Sequence, residues 1–279
     1  MLIDVDATPA YAYTGGRPFD PARPVIVFVH GAESDHSVWA LQSRYLAHHG
    51  FAVLALDLPG HGRSAGRAIA SVEALADWLI ALLDAAGVSR ATLVGHSMGS
   101  LIALEAAARA PARVERLALV GTAFPMKVSD ALLAAARDDE PRAFDLINYW
   151  SHSTINARPG CPAPGFSMFV QHRRLMERQR PGVVLIDFQA CTAYAAGRER
   201  ADTLACPVLF VLGQRDMMTA PRQARELIER CRAAAVRGGL PAPSVVEIAD
   251  CGHQIMSERP DALLGALRDF LAAPVATPG

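Results

Sequence analysis

The stretch Val94-Gly95-His96-Ser97-Met98-Gly99-Ser100 decides the fold of this chain. It follows an apolar run at residues 91–94, typical of a buried strand, and precedes a helical pattern at residues 101–109. A serine on a sharp strand-to-helix turn needs neighbours with almost no side chain two residues away on each side. The spacing therefore predicts a nucleophile elbow that holds the Ser97 hydroxyl above a sheet, with a helix N-terminus behind it.

The same Gly-x-Ser-x-Gly spacing occurs a second time, at Gly62-Arg63-Ser64-Ala65-Gly66. This copy follows a Pro-Gly-His-Gly loop and precedes another polar turn, so it lacks the strand and the helix that an elbow requires. The predicted nucleophile is therefore Ser97 and not Ser64.

Strand and helix patterns alternate over most of the chain. Residues 25–29 form a continuous β-branched run typical of a strand covered on both faces, and further strand-like runs occur at residues 52–56, 91–94, 114–120, 208–212 and 245–248. Residues 2–6 and 10–14 alternate apolar and polar side chains around Pro9, which predicts an N-terminal hairpin. The prediction is an α/β fold with a doubly wound, mostly parallel sheet and an N-terminal antiparallel hairpin at its edge.

The alternation stops between residues 124 and 203. Helix-like segments at residues 130–137, 142–150, 168–179 and 183–194 are joined there by turns rich in Pro and Gly. We interpret this part as a helical cap inserted in the core. Residues 1–123 and 204–279 then form the core, and residues 124–203 form the cap.

Acyl transfer by a serine needs a base, and a parallel sheet places such groups in loops at the carboxyl ends of its strands. Of nine histidines, four lie in or next to such loops, namely His30, His61, His96 and His253. His253 lies between the last strand and the last helix, so its side chain can reach back over the sheet. It is the predicted base. The alternative is that His253 only caps a helix or stabilises its own loop through hydrogen bonds.

The carboxylate that orients the base is predicted from the same rule. The run at residues 208–212 leads into Gly213-Gln214-Arg215-Asp216, which places Asp216 at a strand end. Asp250 is the alternative, but three residues from His253 it is better placed to brace the loop. Asp57 is expected to organise its own loop. The order Ser97, Asp216, His253 matches the order expected for the elbow motif.

Two backbone N–H groups are expected to form the oxyanion hole. One belongs to Met98, the residue after the nucleophile. The other belongs to Ala32, in the loop His30-Gly31-Ala32-Glu33 that follows the strand at residues 25–29. His30 is expected beneath this loop.

These residues resemble a known family. The His30-Gly31 loop, the stretch 57–64, the elbow 95–99, the stretch 213–216 and Gly252-His253 follow the order seen in the α/β-hydrolase fold superfamily. Gly-His-Ser-Met-Gly is most similar to the esterase and lipase-like branch. The resemblance implies a serine hydrolase with a helical lid. Ser97 in place of aspartate argues against the dehalogenase and epoxide hydrolase branches, and Gln254 argues against carbon–carbon bond hydrolases, which often carry tryptophan there.

The charge balance and the terminal sequence limit which partners and which cell compartment are expected. With 27 Lys and Arg against 28 Asp and Glu, the formal charge of −1 favours neither nucleic acid nor an anionic membrane. The first twenty residues lack the layout of a signal peptide, no apolar run is long enough to cross a bilayer, and the five cysteines are widely spaced. We expect a cytoplasmic protein with reduced thiols, no metal and no cofactor.

Substrate choice is expected to come from apolar groups of the cap and the loops. Each of these side chains is as compatible with the core of the cap as with an acyl pocket. The predicted pocket residues are His30, Gly31, Phe124, Trp150, Phe166, Met168, Tyr194 and Met217. The basic run His172-Arg173-Arg174, with Arg178 and Arg180, is predicted to form a solvated helix face.

The prediction is a serine hydrolase that cleaves a small or medium carboxylic ester through an acyl-enzyme. The same triad could instead act on carbon–carbon, amide or thioester bonds or catalyse perhydrolysis. A non-catalytic binding protein on the same fold is the alternative from a different class.

Overall fold

The computed structural model describes residues 1–153 and 167–273. Eight strands form one sheet in the order β1-β2-β4-β3-β5-β6-β7-β8, in which the pairs β1–β2 and β2–β4 are antiparallel and all other pairs are parallel. The strands are β1 (Leu2–Val5), β2 (Thr8–Tyr13), β3 (Val25–Val29), β4 (Ala52–Leu56), β5 (Ala91–His96), β6 (Val114–Val120), β7 (Val208–Gly213) and β8 (Ser244–Ile248). The predicted fold class is confirmed.

Helices cover both faces of the sheet. They are α1 (Ala40–Ala47), α2 (Val72–Ala85), α3 (Met98–Arg109), α4 (Asp130–Asp138), α5 (Glu140–Ser151), α6 (Met168–Glu177), α7 (Val183–Ala193), α8 (Gly197–Asp202), α9 (Arg225–Gly238), α10 (Ile255–Glu258) and α11 (Pro260–Ala272). None of the described helices combines the length and the apolar character that a membrane crossing requires.

Helices α4 to α8 all lie between β6 and β7 in the chain, within the segment predicted as a cap. Its described part contains helices and no strand. The short helix α8 begins at Gly197 and has a charged sequence, so periodicity did not reveal it. We call residues 124–203 the helical insertion; their separation from the core as a cap stays a prediction.

The central strands are buried along their whole length. Every residue of β3, β4, β5 and β7 is buried, as expected for parallel strands with helices on both faces. Alternate residues of β3 serve two cores: Val27 packs in the cluster of Leu79 and Leu101, and Phe28 packs in the opposite cluster with Leu263. The apolar runs therefore hold the sheet between two layers of helices.

Two boundaries differ from the predictions. The hairpin turns at Asp6 and Ala7, both with positive φ, while Pro9 lies inside β2 opposite Asp4. A two-residue turn with left-handed angles matches strand twist better than a turn at Pro9. In addition, the sequence pattern predicts a helix at residues 222–235, but α9 begins at Arg225, because Pro221–Gln223 first form a 3₁₀ turn.

The elbow brings α3 into close contact with both β5 and β3. A Cβ atom added at Gly95 would lie 2.1 Å from the Gly99 carbonyl oxygen, and one added at Gly99 would lie 2.4 Å from the Val29 carbonyl oxygen. Both positions therefore exclude a side chain, and this is the physical reason for the Gly-x-Ser-x-Gly spacing.

We expect Gly95→Ala to lower the free energy of unfolding by about 1 to 3 kcal/mol or to prevent folding, because backbone must move to admit the methyl group. The control is Gly265→Ala in α11, where an added Cβ meets no atom within 4 Å. It should raise the stability by up to about 1 kcal/mol through helix propensity. Urea denaturation measures both, and a Gly95→Ala variant as stable as the wild type would contradict the packing argument.

Candidate active site

Ser97 occupies the turn between β5 and α3. Its backbone has φ 52° and ψ −120°, a conformation that costs energy for any residue other than glycine. The Ser97 N–H donates to the Val120 carbonyl at 3.0 Å, which ties the turn to the neighbouring strand. The side chain lines two adjoining cavities, so the strained turn presents the hydroxyl to open space.

Asp216 and His253 meet across the ends of β7 and β8. Asp216 Oδ2 lies 2.8 Å from His253 Nδ1, and both residues are buried. Since a carboxylate can only accept, Nδ1 carries the proton and Nε2 is left as the acceptor that a general base needs. Burial alone would raise the pKa of Asp216, but the His253 ring and the Thr219 donors hold it below its usual value.

Thr219 is part of this arrangement, and the sequence analysis missed it. Its Oγ1 lies 2.8 Å from Asp216 Oδ2, 3.0 Å from His253 Nδ1 and 2.9 Å from the Gly121 carbonyl oxygen. Asp216 Oδ1 also accepts from the Met218 and Thr219 N–H groups at 2.8 Å. The only signal in the sequence was a threonine three residues after an aspartate, a spacing common in turns.

His253 and Ser97 line the same small cavity, but no hydrogen bond joins their side chains in the described structure. Nucleophile and base often close to hydrogen-bond distance only when substrate is bound. The backbone of His253 is held in place: its N–H donates to the Ser151 carbonyl at 2.7 Å, and its carbonyl accepts from His96 Nε2 at 2.9 Å. Burial lowers the pKa of His96 to about 3, so this ring is neutral.

The predicted oxyanion donors lie beside Ser97. The Met98 N–H is at the first position of α3, and neither it nor the Ala32 N–H has an acceptor among the described residues. Ala32 lines both cavities that Ser97 lines. A Cβ at Gly31 would lie 3.0 Å from Ser97 Cβ, so a side chain there would crowd the nucleophile.

His30 supports this loop from below. Its Nδ1 donates to the Gly31 carbonyl at 2.8 Å, and its Nε2 accepts from the Leu58 N–H at 3.0 Å. This pattern requires a neutral ring, and burial together with nearby His61 lowers the pKa of His30 to about 4. His30 therefore braces the loop and does not line either cavity, contrary to its place among the predicted pocket residues.

Two cavities of different size meet at Ser97. The larger has a volume of about 530 Å³, and the smaller about 30 Å³. Of the predicted pocket residues, Trp150 and Met217 line the larger cavity and Gly31 lines the smaller one. Further apolar side chains of the larger cavity are Met126, Val128, Leu132, Phe188, Cys191 and Met218.

Three more predicted pocket residues do not line these cavities. Tyr194 is buried and donates its hydroxyl to Glu105 Oε2 at 2.8 Å, and Phe124 packs edge-on against its ring. Both side chains pack in the hydrophobic core, where the Tyr194 hydroxyl provides a hydrogen bond to the buried Glu105 carboxylate. Met168 begins α6 and is half-buried outside the cavity walls. Phe166 lies outside the described residues.

The competing residues have structural roles. Ser64 is 1% exposed, and its hydroxyl donates to the Asp57 carbonyl at 2.6 Å and accepts from the Tyr11 N–H at 2.8 Å. Asp57 accepts from the Arg63 N–H within its loop, and Asp250 pairs with Arg215 at 2.8 Å.

The basic run that was predicted to form a solvated helix face is only partly solvated, because several of its side chains contact residues of the α/β core or are buried. Arg178 pairs with buried Asp35 at 2.7 Å, and Arg180 donates to the Ser64 carbonyl at 2.8 Å. His172 is buried in a hydrogen-bond chain between Asn148 and Gln254.

One group of side chains has the spacing of cation ligands. Ligand atoms of Asp35, His36 and Asp57 all lie within 4.8 Å of one another. However, the Arg178 guanidinium binds both Asp35 oxygens, and Asp57 Oδ1 accepts from the His36 ring and N–H at 2.7 Å. Protein donors already satisfy these carboxylates, so the group does not fit a metal.

The chain is similar in sequence and in structure to known proteins. A family model described as alpha/beta hydrolase fold matches residues 24–260. The chain belongs to the α/β-hydrolase fold family. It is 28% identical over 256 residues to a pimeloyl-[acyl-carrier protein] methyl ester esterase of Aromatoleum aromaticum, covering 86% of this chain and 94% of that protein. An enol-lactonase from Burkholderia xenovorans LB400 superposes with a TM-score of 0.82 at 26% identity, covering 98% of this chain and 100% of that one.

Two longer relatives match over shorter stretches. They are dihydrolipoyllysine-residue acetyltransferase components of acetoin cleaving systems, from Cupriavidus necator and Pseudomonas putida, at 37% and 41% identity. The matches cover 47% and 39% of this chain but only 33% and 28% of those proteins.

In this α/β-hydrolase, the insertion is tied to the oxyanion loop by Asp187 of α7. Asp187 Oδ2 accepts from the Glu33 N–H and lies 2.9 Å from His61 Nε2. His61 Nδ1 also faces an acceptor, the Pro59 carbonyl, at 3.1 Å, so both ring nitrogens donate. Burial opposes this charged state, but Asp187 raises the pKa of His61. The sequence offered no signal for this contact, since 154 residues separate Asp187 from Glu33.

Glu33 itself is buried without a partner. It is 2% exposed, and neither of its carboxylate oxygens has a hydrogen bond among the described residues. Burial and the nearby Asp187 raise the pKa of Glu33 to about 9. The side chain is therefore neutral at pH 7.

We expect Glu33→Gln to gain stability relative to the wild type as the pH rises from 5 to 9. Below its raised pKa the native state keeps the Glu33 proton, whereas the unfolded chain releases it near pH 4.5. The wild type therefore loses stability across this window, and the neutral glutamine does not. Urea denaturation at pH 5, 7 and 9 measures the difference.

Exposed Glu247 provides the matched control, because Glu247→Gln should follow the wild-type pH dependence. If Glu33→Gln and the wild type gave parallel pH profiles, a neutral, buried Glu33 would be excluded.

Proposed function

We propose that this α/β-hydrolase is a serine esterase that cleaves small or medium carboxylic esters through an acyl-enzyme. Ser97 is the nucleophile, His253 the base and acid, and Asp216 the residue that orients His253. The N–H groups of Met98 and Ala32 hold the oxyanion. The partner is a small, ester-like molecule.

The observation that carries this proposal is the 2.8 Å contact between Asp216 Oδ2 and His253 Nδ1 next to a strained Ser97. The carboxylate fixes the tautomer in which Nε2 is free to take a proton. A residue with costly backbone angles is retained where its side chain must be held in one place, and this is the requirement for a nucleophile.

The first half of the reaction acylates the enzyme. Ser97 Oγ attacks the ester carbonyl carbon while His253 Nε2 takes its proton, and the carbonyl oxygen becomes an oxyanion. Its charge develops between two fixed N–H dipoles, a contribution worth about 3 to 4 kcal/mol per donor in serine hydrolases. The bond to the leaving oxygen then breaks, and His253 gives that oxygen the proton.

The second half regenerates the serine. Water attacks the acyl carbon as His253 Nε2 takes one of its protons. When the bond to Ser97 Oγ breaks, His253 returns the proton to the serine and the acid is released. The buried Asp216 remains ionised throughout and stabilises the imidazolium form in both halves.

The activities of the two similar proteins support this chemistry, since methyl ester hydrolysis and lactone hydrolysis both break an acyl carbon–oxygen bond. The four described cysteines are free and buried, which supports a reducing, cytoplasmic setting. The same triad could instead cleave amide, thioester or carbon–carbon bonds or catalyse perhydrolysis. Rates measured on a panel of such substrates distinguish these reactions from ester hydrolysis.

A fluorophosphonate probe should label the wild type and fail to label Ser97→Ala, because the probe reacts with an activated serine. Ester hydrolysis should fall by about 10⁴-fold or more in the same variant. Intact-protein mass spectrometry and an acid-release assay measure the two effects.

Ser64→Ala is the matched control, since Ser64 stands in the second copy of the motif and has structural hydrogen bonds. Once shown to be folded by circular dichroism, it should keep the label. An unlabelled wild type would favour the non-catalytic binding protein, and equal labelling of Ser97→Ala would exclude Ser97 as the nucleophile.

A further inference from the structure

The two cavities at Ser97 differ in which catalytic groups they reach. Ser97 and Ala32 line both of them, so the scissile carbonyl belongs at their junction. Among the residues that line the smaller cavity is His253, which does not line the larger one. We call the larger cavity, of about 530 Å³, the acyl chamber and the smaller one, of about 30 Å³, the small chamber.

Part of the wall of the small chamber is polar. Ser34, Ser151, His172 and Gln254 line it together with His253. Ser151 is 1% exposed, and its hydroxyl has no hydrogen-bond partner among the described residues. A buried hydroxyl without a partner costs free energy unless a ligand or water satisfies it.

A hydrogen-bond chain fixes the wall that Gln254 and His172 form. Gln254 Nε2 donates to His172 Nε2 at 3.0 Å, and His172 Nδ1 donates to Asn148 Oδ1 at 3.2 Å. Burial and nearby histidines keep the pKa of His172 well below its usual value, so the ring stays neutral and the chain keeps this direction. The wall is therefore preorganised for a small polar molecule.

Proton transfer decides which part of an ester enters the small chamber. In the proposed reaction, His253 Nε2 must reach the leaving oxygen to protonate it, and later must reach the attacking water to deprotonate it. Both oxygens therefore belong on the side of Ser97 that His253 lines. The acyl chain then extends into the acyl chamber.

We propose that the small chamber is the site of the leaving alcohol and, after it departs, of the hydrolytic water, and that it restricts substrates to esters of small alcohols. This inference rests on the proposed function. A water molecule needs about 10 to 15 Å³ of such volume, so a chamber of about 30 Å³ admits a methoxy or ethoxy group but not a butoxy group. The Ser151 hydroxyl is available to bond the alcohol oxygen or the water.

The balance of the reaction is that of ester hydrolysis. The Ser97 Oγ–carbon bond forms first, the carbon–alkoxy bond breaks afterwards, and the serine proton moves through His253 to the alcohol. In the second half, the water oxygen–carbon bond forms and the Ser97 Oγ–carbon bond then breaks. One water proton returns through His253 to Ser97, and the water oxygen stays on the released acid.

The test varies the two sides of the ester separately in the wild type, with acid release as the readout. From methyl to butyl hexanoate, kcat/KM should fall at least tenfold. From methyl acetate to methyl hexanoate, kcat/KM should be kept or should rise, because the added methylene groups enter the apolar acyl chamber. Equal kcat/KM for methyl and butyl hexanoate would overturn the inference.

Two truncations locate the selectivity. Ile147 lines the small chamber and Leu132 lines the acyl chamber, and neither lines the other cavity. Ile147→Ala should raise the butyl-to-methyl ratio of kcat/KM at least fivefold. Leu132→Ala should leave that ratio unchanged and alter the preference for acyl length. If Leu132→Ala changed the butyl-to-methyl ratio and Ile147→Ala changed only the acyl-length preference, the inference would be overturned. If Ile147→Ala does not fold, the ester series measured on the wild type is the test.

The outcomes separate this inference from the proposed function. If Ser97→Ala abolishes the hydrolysis of all the esters but the alcohol part has no influence on the wild type, the serine esterase stands and the small chamber has no selective role. If the wild type cleaves none of the esters and takes no fluorophosphonate label, both proposals fail.

Discussion

The close contact of α3 with β5 and β3 around Ser97 is the constraint on which the rest of the structure depends. No side chain fits at Gly95 or Gly99, since an added Cβ would lie within 2.4 Å of a carbonyl oxygen at either position. The contact holds Ser97 in a backbone conformation that a serine would not adopt freely. The cost is met by the fully buried strands β3 and β5, which give the turn little freedom to relax.

Around this turn, the buried histidines differ in protonation state, and each state matches the hydrogen bonds that the ring makes. His30 and His96 are neutral and each donates one ring N–H to a backbone carbonyl, whereas His61 is charged and pairs with Asp187. Asp187 belongs to the helical insertion but binds the N–H next to Ala32. A displacement of α7 would therefore act directly on the loop proposed to hold the oxyanion.

The sequence predicted those parts of the structure that depend on local pattern. Runs of buried strand residues and the elbow spacing identified the parallel sheet, and the rule of strand-end loops selected Asp216 and His253, which the structure brings within 2.8 Å. Side chains whose surroundings come from distant segments could not be assigned in this way. Tyr194 and Trp150 are both aromatic residues of the insertion, but a buried Glu105 draws Tyr194 into the core while Trp150 lines the acyl chamber. Thr219 and Asp187 were missed for the same reason.

The central claim is that Ser97 carries the acyl group during turnover. Peptide mapping by mass spectrometry, after rapid acid quenching of the protein during hydrolysis of methyl hexanoate, tests it most directly. The account predicts a hexanoyl group on Ser97 that disappears when the substrate is exhausted. A hexanoyl group on any other residue, or continued product formation by Ser97→Ala at the wild-type rate, would contradict it.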